Sequence, residues 1–362
     1  MNRSLGKNRM KNVFIDFERI KNPYCGLGQL SKSLGQHLMM NKPESLNFIY
    51  FVPKIAEHLY PDNILFNHVH FYKKNLFNIF DVFFPNNIAL WHITNQDSDY
   101  FPYHSKGKIL LNIHDLNFIR QKSESKKRKR IRKLKSKIKR SHHIVTGSHF
   151  VKNEIIKILN VPPEKISVIH NGIDLTANDK ESAPSVPSGK FLFTIGEVVE
   201  KKNFHTLVQT MKHLSGFNLF IAGNNKTHYA EIIKRMISDN NLGNRVFLIG
   251  PVKDEERIWF YKNCEAFLFP SLAEGFGIPP LEAMSIGKPV FLSEETSLPE
   301  IAGPHAYYWK NFEPHSMAKL VLDGLKDFKE KNRTAEVIEH AKKYNWHNTA
   351  KQYIDLYKMM LQ

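Results

Sequence analysis

The sequence predicts an α/β protein built from two doubly wound domains, and three observations lead to that prediction. Short apolar runs alternate with amphipathic stretches along the 362 residues. The runs are continuous, which is typical of parallel strands covered by helices on both faces. The chain also exceeds the length at which a single apolar core stops growing, and a polar segment divides it near the middle.

The predicted strands form two series, each rich in the β-branched and aromatic residues that favour strands. The first series lies at 12–17, 47–52, 89–94, 108–115, 143–148 and 165–172, and the second at 191–197, 218–224, 245–250, 266–271 and 288–293. Residues 176–190 between them are polar and rich in Pro and Ser, which indicates a linker. We therefore expect an N-terminal Rossmann-like domain over 1–178, a C-terminal one over 190–340, and a helix within 341–362.

Composition excludes several classes of protein. With 42% hydrophobic and 12% aromatic residues, the chain is typical of a folded globular protein and not of a disordered one. Its two cysteines, Cys25 and Cys264, cannot form a disulfide framework, which favours a reducing cytosol. No apolar run approaches the roughly 18 residues of a membrane-spanning helix, and no signal-peptide core follows the basic N-terminus. We expect a soluble or peripheral protein.

Much of the formal net charge of +17 lies in residues 120–140, which hold thirteen Lys and Arg against one Glu. Ile131, Leu134 and Ile138 recur there at helical spacing, which predicts a helix with a thin apolar stripe and a cationic face. Helices of this kind lie on anionic membrane surfaces. The predicted membrane-docking residues are Lys126, Lys127, Arg128, Lys129, Arg130, Arg132, Lys133 and Lys135.

Nucleic acid is the rival partner for this basic segment, because a cluster of cations is also the electrostatic footprint of nucleic-acid binding. The segment has no interleaved aromatic residues on which bases would stack, and no recognition motif accompanies it. An anionic membrane surface is therefore the favoured partner. A solvated charged face without a partner is the third alternative.

Conspicuous residues follow several predicted strands, where ligands of doubly wound sheets bind. Gly26 and Gly28 lie between the first strand and a helix, where glycines allow backbone N–H groups to approach an anion or simply form a tight turn. His114 ends the strand at 108–115 and is either a hydrogen-bonding group of a site or a structural histidine. Lys202 follows the strand at 191–197 and is either a phosphate ligand or a solvated loop residue.

The segment SLAEGFGIPPLEAMSIGKPVF, residues 271–291, follows another strand and carries two glutamates. Its glycines allow backbone N–H groups to face a ligand, and Pro279 and Pro280 are typical of the first turn of a helix. Glu274 is then on the loop and Glu282 early in the helix. A carboxylate such as that of Glu282 can accept two hydrogen bonds from a diol such as ribose, or act only as a favourable charge near the helix N-terminus.

Taken together, these motifs resemble the retaining GT-B glycosyltransferases of the E-x7-E group, family 4-like enzymes that include bacterial polysaccharide mannosyl- and glucosyltransferases. The strongest element is EGFGIPPLE, from Glu274 to Glu282, with the trailing AMSIGKPV. Supporting strings are CGLGQ, NIHDL, TGSHFVKNEI, VIHNGID and EKKNF. The resemblance spans nearly the whole chain, and it implies two domains facing one another across a cleft, with the last helix crossing back to the first domain.

The resemblance also implies a role for each matching residue. Glu274 lies against the donor sugar and Glu282 holds the nucleotide ribose, while His114 lies beside the sugar, so that Glu274 and His114 are the candidate catalytic residues. The implied donor-binding residues are Gly28, Gly196, Lys202, Phe276, Gly277 and Glu282. One departure is Glu197, which stands directly after Gly196 where the family usually has an arginine.

The expected function is therefore that of a metal-independent retaining hexosyltransferase, with no cofactor beyond the nucleotide-sugar donor. Mannose from GDP-mannose is favoured, with UDP-hexoses close behind, and the acceptor is a lipid-linked or cell-surface polysaccharide at the cytoplasmic face of the cell membrane, in a setting such as lipopolysaccharide synthesis. Two alternatives remain open at this point. One is a nucleic-acid-binding α/β protein whose glutamates are structural, and the other is a GT-B enzyme that is not a transferase, such as an epimerase.

Overall fold

The computed structural model describes residues 10–22, 26–59, 64–66, 87–120, 123–175 and 179–362. Contacts divide the chain into two units. Unit 1 contains the described residues up to Gly172 together with Trp346–Gln362, and unit 2 contains Ile173–Asn345. Cys25 lies outside the described residues, whereas Cys264 is a buried free thiol in unit 2.

Unit 1 is built on a parallel sheet of seven strands in the order β3-β2-β1-β4-β5-β6-β7. Its strands are β1 (Lys11–Asp16), β2 (Leu46–Val52), β3 (Ile64–Phe66), β4 (Ile88–Ile93), β5 (Lys108–Asn112), β6 (His143–Thr146) and β7 (Ile166–Val168). The strand order reverses between β1 and β4, and in doubly wound sheets a crevice for ligands opens beyond the carboxyl ends of strands at such a point. The three-residue strand β3 was absent from the sequence prediction.

The helices in the described part of unit 1 are α1 (Gly26–Met40), α2 (Glu124–Arg140), α3 (His149–Leu159) and, near the C-terminus, α11 (Trp346–Leu361). Helix α3 shows how the sequence sets helix ends. The hydroxyl of Ser148 accepts a hydrogen bond from the backbone N–H of Val151, and Asn160 ends the helix in the left-handed conformation. Both are common capping arrangements, so part of the TGSHFVKNEI string has a structural reason.

A buried polar network joins α11 to the sheet of unit 1. The hydroxyl of Tyr357 donates to Nδ1 of His92 at 2.6 Å, Nε2 of His92 donates to Asn112 Oδ1 at 3.1 Å, and the Asn112 amide donates to the hydroxyl of Tyr353 at 2.7 Å. Burial lowers the pKa of His92 to about 3, so the ring is neutral and uses one nitrogen as donor and the other as acceptor. The network fixes the position of α11 against β4 and β5.

Helix α2 corrects one part of the sequence interpretation. Its apolar stripe packs into the core of unit 1, where Leu134 and Ile138 are buried and Ile131 is partly buried, so it is not available to a membrane. Lys137 is also buried, and its ammonium donates to the carbonyls of Gln96 and Ser98 at 2.8 and 2.5 Å. The physical reason for the correction is that a crossover helix needs the same apolar spacing to cover a sheet as a surface helix needs to enter a bilayer.

Unit 2 is built on a parallel sheet of six strands in the order β10-β9-β8-β11-β12-β13, with the reversal between β8 and β11. Its strands are β8 (Phe191–Ile195), β9 (Asn218–Ala222), β10 (Val246–Gly250), β11 (Ala266–Phe269), β12 (Val290–Ser293) and β13 (Tyr307–Trp309). Its helices are α4 (Phe204–Thr210), α5 (His228–Asp239), α6 (Asp254–Asn263), α7 (Ile278–Ser285), α8 (Leu298–Ala302), α9 (Pro314–Glu330) and α10 (Thr334–Lys342). The short edge strand β13 was not predicted from the sequence.

Candidate active site

The candidate site of unit 2 lies beyond the carboxyl ends of β8 and β11, the two strands that flank the reversal of strand order. Gly196 directly follows β8, and Lys202 ends the short 3₁₀ helix Glu200–Lys202. Glu274 lies on the loop after β11, and Glu282 lies in α7, which begins with Pro279 and Pro280 in its first turn. Two adjacent strands therefore place their following loops at one edge of the sheet.

Lys202 and Glu274 form an ion pair in this site. The distance from Nζ to Oε1 is 2.6 Å, and the side chains are only 11% and 14% exposed. The ammonium also lies 4.5 Å from the centroid of the Phe269 ring. Burial lowers the pKa of Lys202, an effect that Glu274 opposes. Burial by itself raises the pKa of Glu274, but the charges of Lys202 and Lys201 and the hydrogen bonds that Glu274 accepts outweigh it, so its pKa is lowered.

Gly196 provides the space in which Lys202 lies. A Cβ atom on Gly196 would stand 3.1 Å from Cε and 3.4 Å from Nζ of Lys202, tighter than ordinary contact. Gly223, which follows β9, in turn allows close approach to Gly196, because its Cβ would meet the Gly196 carbonyl oxygen at 2.0 Å. The two glycines thus let the lysine side chain pass across the end of β8.

Hydroxyl groups hold the loop that carries Glu274. Ser271 donates to Oε1 of Glu274 at 2.5 Å, and the Glu274 backbone N–H donates to the hydroxyl of Thr296 at 3.0 Å. Ser297 donates to the carbonyls of Glu274 and Phe276 at 3.2 and 2.7 Å. The loop is therefore fixed by three hydroxyl side chains that the sequence interpretation did not include.

Phe276 and Gly277 complete this loop. The Phe276 ring is buried in the core of unit 2, and its carbonyl is the one that Ser297 binds. Gly277 has a φ of +126°, in the region that favours glycine, and a Cβ there would lie 3.0 Å from a methyl carbon of Leu298. Both residues therefore have a structural role at the start of α7, and their contact with a ligand stays a prediction.

Glu282 is 8% exposed, and two side chains of α6 hold its carboxylate. Arg257 donates from Nη1 to Oε1, and the hydroxyl of Tyr261 donates to Oε2 at 2.9 Å. The charge of Glu282 raises the pKa of Arg257 above its ordinary value, whereas burial is the main reason that the pKa of Tyr261 is raised, with Glu282 adding to it. The sequence prediction did not include Arg257 and Tyr261, although their spacing of four residues on a helix is a detectable signal.

Glu197, which stands where the resembled family has an arginine, is exposed. Within the described part of the chain, no ion pair joins it to Lys201 or Lys202. A carboxylate beside a diphosphate would repel it, so we expect the exposed side chain of Glu197 to be directed away from a bound donor.

Gly28 and His114 belong to unit 1, at the carboxyl ends of β1 and β5. A Cβ on Gly28 would lie 2.0 Å from the carbonyl oxygen of Asn22, so a close backbone approach requires glycine there. Nε2 of His114 donates to the carbonyl of Thr94 at 2.7 Å, and its backbone N–H donates to Gln96 Oε1 at 3.1 Å. Burial lowers the pKa of His114, so the neutral ring presents Nδ1 as a hydrogen-bond acceptor.

The outer face of α2 carries the predicted docking residues. Those with exposed side chains are Lys126, Arg128, Lys129, Arg132, Lys133 and Lys135. Lys127 and Arg130 are half-buried and pair with Glu124 and Asp97 at 2.6 and 3.0 Å. Lys133 also lies 3.3 Å from Asp99, but exposed pairs of this kind are weak. Among the described helices, none is long and apolar enough to cross a membrane.

Two family models match the sequence. The model described as Glycosyltransferase Family 4 matches residues 37–177, and the model described as Glycosyl transferases group 1 matches residues 176–344. Together they cover most of the chain, and the boundary between them lies near the boundary between units 1 and 2.

Two curated relatives are O-antigen mannosyltransferases by name. The sequence is 34% identical over 176 residues to O-antigen chain mannosyltransferase RfbU of Salmonella typhimurium, an alignment that covers 48% of each chain. It is 25% identical over 388 residues to O-antigen chain mannosyltransferase B of Escherichia coli, covering 97% of this chain and 100% of the other. The chain thus matches about half the length of the first relative and the whole length of the second.

A solved structure shares the fold. The crystal structure of a glycosyltransferase from Rickettsia africae superposes with a TM-score of 0.76, covering 98% of this chain and 99% of the other at 16% identity. At that identity the likeness shows the fold alone. Together with two parallel sheets whose strand orders reverse in the doubly wound manner, it confirms the fold class predicted from the sequence.

Proposed function

We propose that this chain, which belongs to the glycosyltransferases, transfers a hexose from a nucleotide-diphosphate sugar to a lipid-linked or cell-surface polysaccharide acceptor. A Family 4 model matches its N-terminal part, and a group 1 model matches most of the remainder. The observation that carries the proposal is the Lys202–Glu274 ion pair, at the carboxyl ends of β8 and β11 in the same unit as Glu282. Mannose is the favoured sugar, which the names of the two relatives support, and GDP-mannose is the donor that we propose for it.

The charges of the site fit the bond that is broken. Cleavage of the bond between the anomeric carbon and the diphosphate leaves positive charge on the sugar and negative charge on the leaving group, and preorganised cations and N–H groups stabilise the latter. The ammonium of Lys202 has three N–H donors, so it can keep its hydrogen bond to Glu274 while it also binds a phosphate oxygen. Glu274 is then held beside the same donor, where the ionised carboxylate faces the developing positive charge.

The proposed reaction retains the anomeric configuration and needs no metal ion. The oxygen of the acceptor hydroxyl forms the new bond to the anomeric carbon from the face that the diphosphate leaves. The acceptor proton passes to an oxygen of the departing diphosphate, so that nucleoside diphosphate is the second product. In unit 1, Nδ1 of His114 accepts a hydrogen bond from a sugar hydroxyl, because its Nε2–H is already committed to Thr94.

Nucleotide binding tests this proposal. Thermal unfolding is measured with GDP, UDP, ADP and their sugar conjugates, for the parent protein and for Glu282→Ala. A nucleotide at 100 times its dissociation constant is expected to stabilise the parent by about 2.7 kcal/mol, and to leave the variant unchanged. Stabilisation by nucleic acid and by none of the nucleotides would instead support the nucleic-acid-binding alternative. Isomerisation of a donor sugar without an acceptor would support an epimerase.

We further propose that the exposed cations of α2 bind the protein to the anionic cytoplasmic face of the cell membrane, where such an acceptor is presented. Because the apolar stripe of α2 is buried in unit 1, this binding is electrostatic and involves no insertion of the helix. Each cation near an anionic surface contributes about 1 kcal/mol, and the contribution falls with ionic strength. Nucleic acid is the less favoured partner, since no aromatic side chain interrupts the exposed face.

Vesicle cosedimentation tests the membrane proposal. The variant replaces with glutamine the six predicted docking residues of α2 that are exposed: Lys126, Arg128, Lys129, Arg132, Lys133 and Lys135. We expect the parent to bind vesicles with anionic lipid and not neutral ones, and the variant to lose binding, because about 6 kcal/mol of attraction is removed. A control for loss of surface charge elsewhere replaces Lys319 and Lys326 on α9 and Lys331 directly after it, which are also highly exposed. Equal binding to neutral vesicles, or unchanged binding by the α2 variant, would contradict the proposal.

A further inference from the structure

Two side chains on one face of α6 converge on Glu282. Arg257 and Tyr261 are four residues apart, so they lie one helical turn from each other on the same side of the helix. The guanidinium takes Oε1 and the phenol takes Oε2, so each carboxylate oxygen accepts one hydrogen bond from the protein. The carboxylate is therefore held in one orientation at two points.

The number of hydrogen bonds decides what remains for a ligand. A carboxylate has about four lone-pair positions, two on each oxygen. Arg257 and Tyr261 occupy one position on each oxygen, which leaves one on each. A vicinal diol presents two hydroxyl donors side by side, and it matches one free position on each of two neighbouring oxygens. The arrangement suits the two hydroxyls of a ribose better than a single hydroxyl or an amine.

The donors on α6 are also fixed in their chemical state. Arg257 is charged and is held from its other side by Asp254, whose Oδ1 lies 3.3 Å from Nη2. Tyr261 is fully buried, and its raised pKa keeps the phenol protonated. Both groups therefore act as donors to Glu282 throughout the neutral range.

We propose that Arg257 and Tyr261 are positioning residues for the ribose of the donor nucleotide, which they serve by holding the carboxylate of Glu282 with one acceptor position open on each oxygen. This inference rests on the proposed function, because it assumes that a nucleotide binds beside Glu282. Two other readings of the same contacts make different predictions. In the first, Arg257 only links α6 to α7 and has no effect on the ribose. In the second, the Arg257 guanidinium occupies the position of the ribose and must leave when the nucleotide binds.

The test compares nucleotides that differ only in ribose hydroxyls. Isothermal titration calorimetry measures the dissociation constants of GDP and UDP and of their 2′-deoxy and 3′-deoxy counterparts. We expect the parent to bind the better ribonucleotide about 10- to 100-fold more tightly than its deoxy forms, the range for hydrogen bonds to a charged group. In Arg257→Met this ratio is expected to fall to about threefold or less. Arg257→Lys and Tyr261→Phe, which keep more of the packing, are expected to give intermediate ratios.

Arg333→Met is the matched control. Arg333 lies in the same unit, forms an ion pair with Glu336 at 3.0 Å and is 12% exposed. Its substitution removes an Arg–Glu pair that does not involve Glu282, although Glu336 is more exposed at 44%, and we expect the ratio to remain that of the parent. Thermal unfolding of all variants shows which are folded, and Tyr261→Phe, which removes one oxygen atom, keeps the test decisive if Arg257→Met is unfolded.

The possible failures can be distinguished. If the parent binds no nucleotide, the proposed function fails and this inference fails with it. If the parent discriminates between ribose and deoxyribose but Arg257→Met and Tyr261→Phe discriminate equally well, the nucleotide site stands and the positioning role is overturned in favour of a tether. Tighter binding by Arg257→Met with the ratio unchanged would overturn it in favour of displacement of the arginine by the ribose.

Discussion

Replacing Lys202 with methionine is expected to lower the rate of sugar transfer by at least about 100-fold, the usual loss when one preorganised charge or donor is removed from a developing anion. Methionine keeps an unbranched side chain across Gly196 that ends at the position of the lysine Cε, and it carries no charge. The substitution also leaves Glu274 without its ammonium partner in a site where the carboxylate is 14% exposed. The measurement is release of nucleoside diphosphate from the donor that stabilises the parent protein in the nucleotide panel.

A double variant separates two effects of Lys202→Met: the loss of the cation and the destabilisation caused by an unpaired, buried Glu274 carboxylate. In the double variant Lys202→Met, Glu274→Gln, no unpaired charge is buried, so stability is expected to recover relative to Lys202→Met while transfer stays lost. Lys201→Met is the control, because it removes the same charge from the neighbouring, exposed residue. Transfer by Lys202→Met at more than about a third of the parent rate would contradict the role of Lys202 at the diphosphate.

Affinity gives a second readout for the same variant. Lys202 is proposed to contact the diphosphate and not the nucleoside. Lys202→Met should therefore weaken binding of the nucleoside diphosphate much more than binding of the nucleoside monophosphate. Glu282→Ala is expected to weaken both, because ribose is common to them. The two residues of the site can therefore be assigned to different parts of the donor without knowledge of the acceptor.

The part of this site that was predictable from the sequence is the part that chain-local rules determine. Glycines after strands, prolines in a first helical turn and the spacing of Glu274 and Glu282 all fall within one strand-loop-helix unit. The side chains that hold those glutamates come from elsewhere: Arg257 and Tyr261 from α6, and Thr296 and Ser297 from the turn before α8. Their convergence depends on how helices and loops pack, which no local pattern specifies.

The misreading of α2 has a different physical cause. Ile131, Leu134 and Ile138 were correctly placed on one face of a helix. Their spacing does not show whether that face packs against the protein core or enters a bilayer. Lys137 lies between Leu134 and Ile138 in the sequence and is buried with its ammonium on two carbonyl oxygens, whereas the prediction assigned the cations of the segment to one cationic face. Long side chains can bury their stems and still satisfy their charge, so a count of cations overestimates the exposed ones.

Removing the last helix is expected to have the largest effect on stability. Helix α11 buries Trp346, Thr349, Ala350, Tyr353, Ile354, Leu356, Tyr357, Met360 and Leu361. Fully burying one large apolar side chain contributes about 1.5–3 kcal/mol, so the seven large ones together contribute about 10–20 kcal/mol. That is as much as the typical stability of a whole domain, about 5–15 kcal/mol. A chain that ends at Asn345 should therefore lose cooperative unfolding of unit 1.

The expected signature is asymmetric, because α11 belongs to the core of unit 1 and unit 2 ends at Asn345. Calorimetry of the shortened chain should retain one transition, and limited proteolysis should leave a resistant fragment that contains residues 179–345. Tyr357→Phe is the graded control. It keeps the packing but removes the donor to Nδ1 of His92, a buried group whose lost hydrogen bond costs about 1–3 kcal/mol, so unit 1 should unfold at lower temperature yet still cooperatively.

Two intact transitions in the shortened chain would show that the first core is stable without α11 and would contradict this prediction. That outcome would also show that unit 1 does not need the complete His92–Asn112 network, which spans β4, β5 and the helix, in order to fold. Without Tyr353 and Tyr357, the hydrogen bond between His92 and Asn112 would remain, and only water could replace the two lost tyrosine partners. Burial keeps His92 neutral, and without Tyr357 its Nδ1 would lose its hydrogen-bond donor, so the cost of the missing helix falls on β4 and β5, which carry His92 and Asn112.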